Sequence, residues 1–302
     1  MLKKIDQFLF QYTSKQPFGF LRIATAFLCL CVFMCINGSI QSLIGLNGLV
    51  GREITEATIG SDIMPRISWL INPLLHAGFS DATSITILMW IYFLAIILMM
   101  VGLFTRPAVF IVWMIHLMLH QSTVQFSYGM DAFANLLLFY CLIMPTHKYY
   151  SFDAILFKNI KKPNPAYESF CVRILQIHLC IAYFFSGFSK LLTPGWVSTD
   201  GIWQSLTVPN YKTVDFSFLA NYPIVTALLG CSVIVLELFY PIFMYVGKTR
   251  KIWLIAILLL HMFIGLFMLL PFFGLVMIIF NIAAFGWNEF YPAKIFATNK
   301  QE

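Results

Sequence analysis

An all-α, polytopic transmembrane helical bundle of about eight spans, with an added interfacial or re-entrant helix, is the fold class the sequence predicts, and three observations predict it. Of 302 residues, 60% are hydrophobic and 11% are charged, against about 25% charged in soluble domains. Mean hydropathy is +0.83. Several windows exceed the ~18 apolar residues that mark a membrane-crossing helix. Their Leu, Ile, Phe and Met content is continuous, whereas barrel strands alternate. One membrane domain is expected to fill residues 1–302.

Span 1 is expected near 18–36, with Arg22 close to its start, where snorkelling to the headgroups is the default reading. Residues 48–66 carry Arg52, Glu53, Glu56 and Asp62 among glycines and read as a solvated loop. Residues 67–79 are too short to span and hold Pro73 and His76, so an interfacial or re-entrant helix is expected. Span 2, near 84–104, ends at Thr105-Arg106-Pro107, and span 3, near 108–121, carries His116 and His120. A polar turn leads through Asp131 into span 4, near 132–144, which Pro145 closes.

The next loop holds Lys148, Lys158, Lys161 and Lys162 and is the most basic. Span 5 is expected near 170–191, followed by a long loop with Trp196 and Trp203. Span 6, near 223–246, has Glu237 deep inside it, span 7, near 252–270, has His261 at its middle, and a shorter span 8 occupies 271–287.

Net charge is +6, but the basic residues sit in short loops, which is an orientation signal. No reading motif accompanies them, so nucleic acid is not an expected partner and the lipid bilayer is. An N-terminus in the cytoplasm gathers Arg106, the four-lysine loop, Lys248, Arg250 and Lys251 on that side. Lys190, His120 and Asp131 then lie toward the outer face. Met1 to Lys15 is basic and lacks a small-residue cleavage site, so a removable signal peptide is not expected. A bacterial inner membrane is the expected location. The seven cysteines show no Cys-x-x-Cys spacing and read as small buried hydrophobes.

The most specific stretch runs from Tyr183 to Trp196, an apolar run that ends on Lys190 and then on a helix-breaking Thr193-Pro194-Gly195. Arg173, Gln176, Cys180, Tyr183, Ser186 and Lys190 follow one another at steps of three or four and share one helix face. Such a stripe facing lipid would leave donors unsatisfied, so it must face protein or a wet cavity. Glu237 at mid-span must be paired or protonated, because a bare carboxylate there costs at least ~2.5 kcal/mol. Structural pairing and a functional relay both fit it, and a bond to His261 is geometrically allowed. His116 and His120, at i and i+4, lack a third ligand nearby, so no metal is expected. His120, Asp131 and Lys190 make the better constellation, with the carboxylate orienting the histidine or the lysine.

At Tyr183 to Trp196 the chain resembles the horizontally transferred transmembrane (HTTM) domain superfamily, whose best-known members are the vitamin K-dependent gamma-carboxylases. The match rests on an aromatic-rich span with Gly187, Lys190 and Leu191, then Trp196 and Gly201. Arg22, Gly129-Met130-Asp131 with Pro145, and His261 with Phe272-Phe273-Gly274 follow the same order. The resemblance implies Lys190 as the base that deprotonates a quinol such as vitamin K hydroquinone. Tyr183, Ser186, Trp196, Glu237 and His261 are the residues expected around such a cofactor. Asp131 stands where a carboxylase histidine is expected. Another branch of the family is linked to maturation of a secreted antimicrobial peptide, so a secreted or membrane peptide is the implied partner. The expected function is a membrane enzyme with a lysine base at the outer face. The alternatives are a noncatalytic maturation or export partner and, from a third class, a permease.

Overall fold

The computed structural model describes residues 2–11, 17–58, 63–157, 164–197, 200–209 and 213–290. All regular structure among them is helical. The longer helices are α1 (Leu2–Phe10), α2 (Phe18–Ile36), α3 (Asp81–Val101), α4 (Thr105–Ser122), α5 (Gly129–Ile143), α6 (Pro165–Leu192), α7 (Pro223–Leu238), α8 (Gly247–Phe267) and α9 (Pro271–Asn281). The chain forms two compact units, one of residues 18–163 and one of residues 1–17 with 164–302.

In the 18–163 unit, α2 packs on α3 and α5, and α4 packs on the same two helices. Leu21, Leu28, Tyr92, Ile96, Val109, Val112, Leu137 and Leu138 meet in its core. Helix ends follow local chemistry. The Ser80 hydroxyl accepts from the Thr83 N–H at 3.2 Å to start α3. Gly102 ends it in the left-handed region at φ +74, where an added Cβ would also meet the Arg22 guanidinium at 2.7 Å. The Asp153 carboxylate accepts from the Phe104 and Thr105 N–H groups, both at 2.8 Å, and so caps α4.

Arg22 departs from the snorkelling expectation. It is 0% exposed, and its guanidinium donates to the carbonyls of Thr146, Tyr149 and Tyr150 at 2.9, 3.2 and 2.7 Å. The loop after α5 turns its carbonyls inward, which offers the charge a better solvent than the headgroups do. Residues 48–66 differ too, because they hold a helix, Arg52–Thr58. Its Glu56 pairs with Arg66 and accepts from the Ser68 hydroxyl at 2.7 Å. Where an interfacial or re-entrant helix was expected, a helix too short to span is present, Ser68–His76. Cys35 and Cys231 are exposed, not buried as expected, while Cys29, Cys141, Cys171 and Cys180 are buried.

In the other unit α6 runs 28 residues, about 42 Å at 1.5 Å per residue. Asn164 caps it, accepting from the Ala166 N–H at 2.9 Å, and Pro165 opens its first turn. Pro194 prevents its continuation. The expected span at 223–246 is not one helix: α7 ends at Leu238, and Pro241 opens a separate turn of helix, Tyr240–Phe243. The loop after α6 contains the short helices Pro194–Val197, Asp200–Thr207 and Ser217–Asn221. Helix α9 continues into a π-helical turn, Ile282–Gly286.

Among the described residues four helices, α2, α3, α6 and α8, are long and apolar enough to cross a membrane. The segments 129–143, 223–238 and 271–286 are apolar but shorter, and α4 reaches 18 residues without matching their hydropathy. Outward residues such as Trp90, Ile224, Leu228, Ile252 and Leu266 are at least 60% exposed, an apolar exterior that water would not support and lipid does. Lys158, Lys161 and Lys162 of the four-lysine loop, on which the expected orientation leans, lie outside the described residues. Replacing Arg22 by Met should leave three carbonyls without their donor. A loss of at least about 2 kcal/mol, read as a lowered midpoint in denaturant titration of the protein in mixed micelles, is the expected outcome; an unchanged midpoint would count against the clamp.

Candidate functional site

Lys190 sits in the last turn of α6, where a C-terminal position favours a cation. Its Nζ donates to Glu237 Oε2 at 2.5 Å and to Ser186 Oγ at 2.7 Å. The side chains are 20% and 8% exposed, so the ammonium has an opening and the carboxylate is enclosed. Two features make the contact. Gly187 lets the α6 and α7 backbones touch, since a Cβ there would lie 2.6 Å from the Leu238 nitrogen. The break after Leu238 then leaves Glu237 at a helix end, directed at the lysine.

The turn after α6 brings Trp196 back toward Lys190, with Nζ 5.4 Å from the ring centroid, a favourable cation–π distance. Gly230 of α7 secures this turn, because a Cβ there would meet the Trp196 carbonyl at 2.6 Å. Phe184 and Phe188 stack on each other at 6.0 Å, about 40% exposed each, on a face of α6 turned away from Lys190.

Arg173, Gln176, Tyr183, Ser186 and Lys190 of the polar α6 stripe are all bonded within the protein, and Cys180 is buried. Arg173 Nε donates to the Phe8 carbonyl at 2.9 Å, and the guanidinium lies 4.7 Å over that ring. Arg173 also donates to Gln176 at 2.7 Å. Gln176 in turn donates to the Ala284 carbonyl in the π-helical turn at 2.7 Å, the kind of irregular helix segment that recurs at functional positions. Tyr183 meets His261 Nε2 at 2.6 Å and Asn281 Nδ2 at 2.7 Å. Glu237 therefore pairs with Lys190, while His261 pairs with Tyr183, in place of the Glu237 to His261 bond that depth allowed.

Five of the residues expected around a cofactor, Tyr183, Ser186, Trp196, Glu237 and His261, thus lie with Lys190 in one unit. His120 and Asp131 belong to the other unit. There, Asp131 Oδ2 accepts the Tyr128 N–H at 3.0 Å and caps the start of α5. His116 Nδ1 lies 3.0 Å from the Tyr92 hydroxyl, and His120 Nδ1 is buried without a hydrogen-bond partner among the described residues. No group of three His, Cys, Asp or Glu able to hold a metal occurs among the described residues. Sequence reasoning missed Asn281, the link between Tyr183 and Tyr240. Its one signal was an amide inside an otherwise apolar run.

A family model described as the HTTM domain matches residues 75–298, a range that runs from the end of the Ser68–His76 helix through α9 and includes Lys190, Glu237 and His261. No curated protein and no solved structure matches the chain.

Two outcomes check the site's construction. Gly187→Val should destabilise the protein by about 1–3 kcal/mol, whereas Gly247→Val, where a Cβ meets nothing within 4 Å, should change the unfolding midpoint little. Lys190→Met and Glu237→Leu should each cost about 3 kcal/mol by stranding the other charge, and the double variant should cost less than either; additive losses in the thermodynamic cycle would mean that the two groups are not coupled.

Proposed function

The chain belongs to the HTTM domain family, and on that premise we propose that it is an integral membrane enzyme in which Lys190 and Glu237 move a proton at the outer face of the bilayer. The observation that carries this reading is the 2.5 Å contact between Lys190 Nζ and Glu237 Oε2. A lysine can act as a base only in its free-amine form. Glu237 is placed to take the ammonium proton, so the pair supplies both a free amine and a store for the proton it gives up. Ser186 holds Nζ on the α6 side, and the Trp196 ring favours its charged state after proton uptake.

The residues around Lys190 suit a flat, apolar ring compound. Trp196 presents aromatic surface beside the amine, and Glu237 and Ser186 are the polar groups bonded to that amine. A quinol such as vitamin K hydroquinone, when bound, would supply the acidic hydroxyl and the reducing electrons. The role of the chain is to receive that hydroxyl proton on Lys190 Nζ and to keep the exchange away from the cytoplasm. Eight membrane crossings with a cytoplasmic N-terminus, and an exported peptide as the molecule finally modified, complete the proposal.

The test uses the full chain in lipid nanodiscs with menadiol, the reduced form of 2-methyl-1,4-naphthoquinone, and dissolved oxygen. Menadiol oxidation above the protein-free rate is expected, falling at least ~100-fold in Lys190→Met and recovering in part in Lys190→Arg/Glu237→Gln only if charge alone matters. Equal rates in wild type and Lys190→Met would leave a noncatalytic maturation or export partner as the better reading.

A further inference from the structure

Hydrogen positions around Tyr183 follow from the heavy atoms. Asn281 Nδ2 lies 2.8 Å from the Met277 carbonyl, which can only accept, so the amide orientation is set. Its second N–H then points to the Tyr183 oxygen at 2.7 Å, and its Oδ1 accepts from the Tyr240 hydroxyl at 2.8 Å. Tyr183 has one hydrogen left to give, and His261 Nε2 is 2.6 Å away. Were Nε2 protonated, the Tyr183 hydrogen would have no acceptor among the described residues at a side chain only 2% exposed, a loss of about 1–3 kcal/mol. Tyr183 therefore donates, Nε2 accepts, and the proton of neutral His261 is on Nδ1.

His261 is 3% exposed, and its Nδ1 has no hydrogen-bond partner among the described residues. A buried N–H without an acceptor carries the same order of cost as the lost tyrosine bond. Tyr183, the partner of His261, lies seven residues before Lys190 on the same face of α6, about 10 Å along the helix axis, so a ring compound beside Lys190 can reach toward His261.

We propose that His261 Nδ1–H is the second donor of the Lys190 site, positioned by the Tyr240–Asn281–Tyr183 chain to hold a carbonyl or phenolate oxygen of a ring compound. Tyr183, Asn281 and Tyr240 are then positioning residues, acting through the tautomer of His261. For its location the inference rests on the Lys190 reading. The one-way chain itself does not.

Full-length protein with 15N-labelled histidine in nanodiscs tests it, with the His261 signals assigned by their loss in His261→Gln. The expected wild-type spectrum shows a protonated Nδ1 and an unprotonated Nε2. Menadione, a naphthoquinone whose oxygens only accept, should move the Nδ1 resonance. Tyr183→Phe should mix the tautomers and, like His261→Gln, weaken menadione binding about 3- to 10-fold. A protonated Nε2 in the wild type, an Nδ1 signal that menadione leaves in place, or unchanged binding in both variants would overturn the proposal. Should His261→Gln fail to fold, loss of the same signals in His261→Asn makes the assignment, so the wild-type tautomer is still read. A menadione-sensitive Nδ1 together with full menadiol oxidation by Lys190→Met would remove the base reading and keep the donor; the reverse pattern would do the opposite.

Discussion

An ammonium and a carboxylate brought into an apolar helix pair need each other, and the contact between Lys190 and Glu237 is the condition on which the rest of this unit's architecture depends. Either charge alone would cost several kcal/mol in a site as enclosed as that of Glu237. Meeting that condition requires the backbones of α6 and α7 to touch at Gly187. It also requires α7 to stop at Leu238 so that the carboxylate leaves the helix toward the lysine, and the Thr193-Pro194-Gly195 turn to return Trp196 to the ammonium. A shortened α7, which looks like a defect in a spanning helix, is a consequence of the pair.

The same constraint is met differently at Arg22. A guanidinium stays protonated under all ordinary conditions, and its partners are three backbone carbonyls, which accept hydrogen bonds but take no proton. That arrangement can only hold the loop after α5 against α2. Lys190 faces a carboxylate and a hydroxyl, so a proton can leave and return. The two cations, both within helices long and apolar enough to cross a membrane, thus differ in whether their partners can exchange a proton with them.

Much of this was legible in the residues. The spacing of Arg173, Gln176, Tyr183, Ser186 and Lys190 defines one face by helix geometry alone, and that face proves to be bonded throughout. The ends of α5 and α6 are marked by Pro145 and Thr193-Pro194, whose effects act within a turn, whereas Thr105-Arg106-Pro107, expected to end α3, opens α4 instead. Short helices in the stretches 48–66 and 192–222 were not legible, because segments of four to eight residues owe their helicity to packing more than to propensity. The burial of Arg22 was equally hidden, since its carbonyl partners lie more than 120 residues away in the chain.

By itself, the sequence determined what is local or compositional: an all-helical chain suited to lipid, the helix on which each polar group rides, and the family. Pairing was decided by the tertiary structure. Depth along a helix allowed Glu237 to reach His261, but the close approach at Gly187 gave the carboxylate to Lys190, and Asn281 joined Tyr183 to Tyr240 across helices remote in sequence. Hydrogen bonds of this kind depend on ångström-scale distances between helices, which periodicity along one chain does not encode.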